Sequence, residues 1–276
     1  MNPGNRRRLL VLALLGAALP AWAGCSRPIV VPSAPNGLSV IIHGDQVSGI
    51  FPELLNGLAE ASRCTFVWSA VPRARLEAMF ENGTADILMP ATNSARRDQL
   101  GTFVPMLETR AFLVSLPGAR APVANMAQLL ARRELRVALV RGFDYGAAYL
   151  ELSQKLDKQK RLLLESNPTN VLRLLHDGMA DVAILTPIAV HGAIKTDARI
   201  EDLDNRVRFE ALPELPWIKS GVYLSNRSLS AGDRAVLEKA LNNATRAGTL
   251  LQAYKRIYPP AMIAEGTRPV TPATPP

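Results

Sequence analysis

The sequence predicts an α/β fold of two lobes, each a mixed, mostly parallel sheet flanked by helices, joined by a two-strand hinge. Three observations carry this. Strand-like apolar runs alternate with helical stretches, the βαβ order that produces parallel sheets covered on both faces. The alternation runs through twice with a shared motif: FENGTADILMP at 80–90 is echoed by LHDGMADVAILTP at 175–187. After the second pass, SGVYLSN at 220–226 can cross back to the first lobe. With 276 residues, 48% hydrophobic and 20% charged, the chain can build two real cores.

Residues 1–23 differ from the rest. Arg6, Arg7 and Arg8 form a basic stub, Leu9–Ala23 is apolar, and Ala21-Trp22-Ala23 is an A-x-A cleavage signal. This is the pattern of a bacterial secretory signal peptide, too short to span a membrane. No later stretch is apolar enough to cross a bilayer, so a soluble periplasmic protein is expected. A lipid anchor on Cys25 is the rival reading; Trp22 stands where a lipoprotein signal carries leucine or a similar aliphatic residue, which weighs against it.

The first pass begins with strand RPIVV at 27–31 and the polar turn HGDQVSG, then a helix from about Phe51 to Arg63. Strand TFVWSAV, a helix through RARLEAMFENG capped at Gly83, and strand ADILMP follow. A further helix opens near Arg96 and Arg97. After FVPMLETRAFLVSLPG the second pass runs through helix NMAQLLARR, strand LRVALVRG, a helix over 145–158, strand RLLLES, helix NPTNVLRLLHDG and strand ADVAILT. Two helices near 230–246 and 247–257 end at Pro259-Pro260. The expected organisation is a signal peptide at 1–23, the first lobe at 24–112, the second at 113–219, a return to the first lobe at 220–260, and a disordered Pro/Thr-rich tail at 261–276.

The net charge is +8, falling to +5 once residues 1–23 and their three arginines are removed. A sequence pI near 9.9 invites a nucleic-acid reading. Scattered basic residues, 5% aromatics and an extracytoplasmic destination argue against it. His43, His176 and His191 show no metal-ligand spacing, and neither a metal nor a cofactor is expected. Cys25 and Cys64 each stand just ahead of a strand-like run; if those strands are parallel neighbours, a disulfide between them is geometrically natural.

Ligands of open α/β sheets bind beyond the carboxyl ends of the strands. The candidate residues are therefore those just after strands. Ser33 and Asn36, in PSAPNGLSV at 32–40, should border a cleft between the lobes, although Pro35-Asn36-Gly37 also reads as a plain turn.

GIFPELLNGLAEA, NGTADILMPATNSARRDQLGTFVP, LRVALVRGF, LLHDGMADVAIL and the closing LLQAYKRIYP, in this order and spacing, resemble one family. It is the solute-binding proteins of polar amino-acid ABC importers, the bacterial extracellular family 3 with the type II periplasmic binding fold. The resemblance spans about residues 27–258. It implies a monomer that captures a small carboxylate-bearing solute and delivers it to an inner-membrane permease. It also implies that Thr92 and, five residues on, Arg97 hold the solute's carboxylate, a role suited to the planar guanidinium fork. A helix starting there would add free N–H groups. Arg96 is expected at the surface.

Arg73 lies where family members often present an apolar or aromatic residue. Two cleft arginines without neighbouring acids would suggest a multiply anionic ligand, unless Arg73 or Arg75 pairs with Glu77. The turn Gly142-Phe143-Asp144 replaces a small polar pair. Gly142 is expected to donate its N–H to the carboxylate, and Asp144 could hold an ammonium. Where amino-acid binders carry an aspartate for the α-ammonium, this chain has Thr186, which cannot neutralise that charge. A carboxylate without the amine thus competes with an α-amino acid. Two alternatives share the scaffold: a dehydratase-like enzyme acting on prephenate-like dicarboxylates, with Asp144 as its one candidate acid, and a ligand-sensing module for a signalling partner.

Overall fold

The structure is a computed structural model that describes residues 24–118 and 120–270. The expected signal peptide and the last six residues of the expected tail lie outside the described residues.

The first lobe opens with β1 (Ile29–Ser33), followed by a hairpin of β2 (Ile41–His43) and β3 (Gln46–Ser48). HGDQVSG is thus more than a turn: Gly44, at φ 58°, opens a two-residue turn that pairs His43 with Gln46. Helix α1 (Ile50–Ser62) buries Phe51, Leu54 and Leu55, the i, i+3, i+4 stripe that fixes its inner face. Next come β4 (Phe66–Ala70), α2 (Arg73–Glu81), β5 (Ile87–Thr92), the single turn α3 (Ala95–Asp98) and β6 (Gly101–Thr109). β1 and β4 pair in parallel, Ile29 opposite Phe66. Their starts are therefore adjacent, and the disulfide Cys25–Cys64 joins them, its Cα atoms 4.8 Å apart.

The chain then enters a second sheet through β7 (Phe112–Ser115). There follow α4 (Met126–Ala131), β8 (Val137–Val140), α5 (Ala147–Lys158), β9 (Leu162–Glu165), α6 (Pro168–His176), β10 (Val182–Leu185), α7 (Pro187–Lys195), a 3-10 turn at Ala198–Leu203, and β11 (Arg208–Glu210). The strand order is β11-β7-β10-β8-β9; β10, β8 and β9 run parallel, and β7 runs antiparallel to its neighbours β10 and β11. β12 (Ile218–Ser225) returns to the first lobe and inserts between β5 and β6, antiparallel to both. The parallel pairing of this lobe lies in β1 and β4.

Helices α8 (Ala231–Arg246) and α9 (Thr249–Ile257) close the first lobe. The tail expected to be disordered from 261 instead starts with α10 (Pro260–Gly266) and β13 (Thr267–Arg268), which pairs with β6. Pro260 sits in the first turn of α10, where its missing N–H costs nothing, and Ile263 is buried in the core. The double proline therefore ends one helix and starts another.

The repeated sequence motif has a common physical basis. Gly83 and Gly178 both take positive φ (77° and 65°) after helices α2 and α6, turning the chain sharply back. Three residues on, an aspartate engages the neighbouring strand. Asp86 N–H donates to the Val30 carbonyl while its carboxylate accepts from Val30 N–H. Asp181 does the same with Arg136, whose N–H and guanidinium both bind the carboxylate. Arg27 completes the first copy with a two-pronged contact to Asp86 at 2.6 and 2.8 Å. Each Gly-x-Ala-Asp thus sets the register of a strand pair.

Two outcomes are expected. The Cys25–Cys64 loop of 39 residues should add about 4 kcal/mol by the chain-entropy estimate, so Cys25→Ser/Cys64→Ser should lower Tm by several degrees, with no further effect of reductant. Asp86, with 2% of its side chain exposed against 32% for Asp181, carries the tighter copy. Asp86→Asn should cost about 2–3 kcal/mol and Asp181→Asn under about 1 in denaturant melts.

Candidate ligand-binding cleft

The carboxyl ends of β5, β8 and β10 converge on a cavity of about 70 Å³ between the four-stranded sheet of the first lobe and the five-stranded sheet of the second. Residues from both lobes wall it. Asn36 and Ser39 follow β1, Arg73 opens α2, Thr92 ends β5 and Arg97 lies in α3. From the second lobe come Phe143, Asp144 and Tyr145 after β8, and Thr186 at the start of α7. Thr109, Ser220, Tyr254 and Thr267 form the floor contributed by β6, β12, α9 and β13.

Arg97 points inward and is 1% exposed. Its Nε and Nη2 donate to the two oxygens of Glu77 at 3.1 and 2.8 Å, the fork-on-fork geometry of a guanidinium on a carboxylate. Nη1 donates to the Thr92 carbonyl at 2.9 Å, and Nη2 also reaches the Gly142 carbonyl at 3.4 Å. Arg73 binds the same carboxylate through Nη2 at 2.7 Å and the Pro90 carbonyl through Nη1 at 2.8 Å. Its Nε is buried without a partner, and its guanidinium lies 5.8 Å from the Phe143 ring centroid. Arg96 is exposed and reaches Glu81 and Glu77, as expected of a surface arginine.

Burial works to raise the Glu77 carboxyl. The Arg73 and Arg97 charges and the Arg97 hydrogen bond outweigh it, holding the carboxyl below its ordinary 4.5. Burial likewise pushes the Arg73 guanidinium down, opposed by Glu77 and reinforced by the like charge of Arg97. Guanidinium stays charged regardless. The cluster thus carries one net positive charge on the first-lobe wall, while the Asp144 carboxylate lies on the second-lobe wall.

Six of the eight expected contact residues line this cavity: Asn36, Arg73, Thr92, Arg97, Asp144 and Thr186. Ser33 and Gly142 are not among its lining residues. Ser33 is fully buried, with its hydroxyl facing the Val31 carbonyl. Gly142 turns its carbonyl, not its N–H, toward Arg97, because its φ of 85° reverses the chain there. Thr92 donates its hydroxyl to the Asp144 carbonyl, across the cleft. Asp144 accepts from Gly146 N–H at 2.8 Å, and the Thr186 hydroxyl accepts from Ala189 N–H, capping α7.

The premise of two cleft arginines without an acid does not hold. Glu77 lies between them, so the argument for a multiply anionic ligand falls. The helix expected to open beside Arg97 is one turn, too short to offer much dipole. Sequence reasoning missed the floor: Tyr254 and Thr267 come from the C-terminal segment, and Ser220 from the return strand. Glu77 stands four residues after Arg73, the spacing of helix neighbours, and that spacing was the available signal.

No protein-family model matches the chain, and no curated protein matches it. Solved structures do. The chain is similar to a histidine kinase sensor domain with similarity to periplasmic binding proteins, with a TM-score of 0.66 and 20% identity over 83% of this chain and 95% of that one. It is similar to the amino acid ABC transporter substrate-binding protein AbpA from Streptococcus pneumoniae bound to L-arginine, with a TM-score of 0.66 and 16% identity over 83% and 93%. The VFT2 domain of Bordetella pertussis BvgS scores 0.60, with 20% identity over 83% and 93%. The fold is therefore the two-lobed periplasmic-binding fold. Among the described residues no helix is long and apolar enough to cross a membrane.

The depressed Glu77 carboxyl makes a pH-dependent contribution. Its folded value lies below the unfolded one, so its stabilisation is full above about pH 4.5 and is lost as pH falls through the folded value. Tm measured from pH 7 to 3 should show a gap between the protein and Glu77→Gln that is widest near neutrality and closes on acidification.

Proposed function

We propose that this chain is a periplasmic, monomeric solute-binding protein that captures a small carboxylate-bearing solute between its lobes and presents it to an ABC importer. The observation that carries the reading is the polarity of the cavity. The Arg73–Glu77–Arg97 cluster leaves one positive charge on one lobe, and Asp144 lies on the other. A solute offering a carboxylate to the first and a hydrogen-bond donor to the second contacts both lobes only when they meet, which is the differential contact that drives hinge closure. The AbpA likeness supports an amino acid or related organic acid, and Thr186 leaves room for an acid without an α-ammonium.

The site binds without turnover in this reading. Asp144, the one candidate acid, already accepts a backbone N–H at the turn it occupies. The kinase sensor likeness favours a second reading, in which the same closure reports solute to a signalling partner. Permease and ATPase genes beside this one on the chromosome would favour import, and a kinase gene would favour sensing.

A thermal-shift screen of the chain against amino acids, hydroxy acids, dicarboxylates and neutral sugars tests the binding reading. A carboxylate present at 100 times its Kd should stabilise by about 2.7 kcal/mol and raise Tm visibly. Stabilisation by neutral sugars alone, with no response to any carboxylate, would sink it.

A further inference from the structure

Every guanidinium nitrogen of Arg97 is already engaged by the chain itself: Nε and Nη2 by Glu77, Nη1 by Thr92. A solute carboxylate could take that fork only by displacing a carboxylate held at 2.8–3.1 Å and nearly excluded from water. Arg73 differs. It lines the cavity, it is 5% exposed, and its Nε is the one guanidinium nitrogen of the pair without an acceptor. Two more buried polar atoms of lining residues lack partners, the Asn36 amide oxygen and the Thr267 hydroxyl. Buried polar atoms left unpaired are costly, so a solute that pairs with the Arg73 donor and the Asn36 acceptor, once these side chains turn toward the cavity they line, relieves that cost.

Size narrows the class. The cavity is small, about 70 Å³, and the Thr92–Asp144 and Arg97–Gly142 contacts cross it. It suits a compact acid of the size of glycolate, lactate, glycine or alanine. A second carboxylate would meet Glu77, which already fills the Arg97 fork.

We propose that Glu77 is a built-in carboxylate that occupies the Arg97 fork, withdrawing Arg97 from solute recognition and leaving Arg73 to hold the single carboxylate of a compact hydroxy or amino acid. This deepens the solute-binding reading and rests on it. Glu77 sets specificity by filling the place a second carboxylate would take, and its charge reduces the wall from two positive charges to one.

Three measurements test this. In the first, Tm of Glu77→Ala is followed in acetate or formate against chloride at equal ionic strength. An exogenous carboxylate should raise the Tm of the variant more than that of the unaltered protein, because only the variant has an empty Arg97 fork; equal rises over chloride in the two proteins overturn the proposal.

In the second, solute binding by calorimetry is compared across glycolate, lactate, glycine, alanine, succinate, glutamate and arginine. The compact acids should bind and the larger ones should not, with hydroxy and amino arms telling which donor group is read. Arg73→Gln should weaken the compact acid by about tenfold or more, the loss of one charge-assisted hydrogen bond. Should Glu77→Ala fail to fold, the third measurement compares Arg73→Gln with the charge-conserving Glu77→Gln/Arg97→Met. The first should weaken the compact acid more than the second; the reverse order overturns the proposal. Binding of glutamate or succinate that depends on Arg97 and not on Arg73 would leave the solute-binding reading standing and remove this one. No response of the unaltered protein to any carboxylate, with acetate rescue of Glu77→Ala intact, would remove the solute-binding reading alone.

Discussion

A guanidinium taken almost wholly out of water requires an anion, and Arg97 finds one within its own chain. That requirement organises the centre of the molecule. Glu77 is brought to Arg97 by helix α2, whose first residue, Arg73, binds the same carboxylate. Arg73 in turn secures the Pro90 carbonyl at the end of β5, and Arg97 secures the Thr92 carbonyl two residues on. The three charges therefore tie α2, β5 and α3 into one rigid wall. A buried ion pair is weak grounds for stability in general, since desolvation offsets attraction. Its worth here is geometric: it fixes which guanidinium nitrogen of the pair is left without an acceptor, Arg73 Nε.

The fold that holds this wall uses one device twice. In each lobe a glycine with positive φ ends a helix, and an aspartate three residues later seizes the backbone of the adjacent strand. The device works in both because it satisfies strand-edge N–H groups that would otherwise lack partners where the sheet begins. The carboxyl ends of the strands so registered, β5 and β10, supply Thr92 and Thr186 to the cavity.

This repetition is why the architecture was legible in the sequence. Gly-x-Ala-Asp followed by an apolar run signals helix stop and strand start through local chemistry alone, and the Cys25–Cys64 pairing followed from placing two strands side by side. The C-terminal segment was not legible, because Pro259-Pro260 carries a stop signal for one helix and a start signal for the next, and only the buried Ile263 decides between them. In the site, the positions after strands could be named, but partnerships could not. Glu77 lies four residues from Arg73 and twenty from Arg97. The first spacing is a helix rule, while the second depends on how α2 packs over β5, which no local pattern encodes.

The same contacts bear on closure. Thr92 donates to the Asp144 carbonyl and Arg97 reaches the Gly142 carbonyl, both across the cleft. Gly37 and Gly192 bring the backbones together so tightly that a Cβ on Gly37 would lie 2.7 Å from Gly192 carbon. Ile188 of α7 packs into the first-lobe core, and Pro187 lies against Gly266. These protein–protein contacts favour the shut arrangement on their own account, so the difference in free energy that a solute must supply is reduced. In the proposed binding a compact solute would contribute at most about 1.5 kcal/mol per non-hydrogen atom, and the ordering of the hinge would draw on that. A small cavity and a glycine-tight seam between lobes are thus complementary: where a bound solute would make few bridging contacts, the chain makes the others itself.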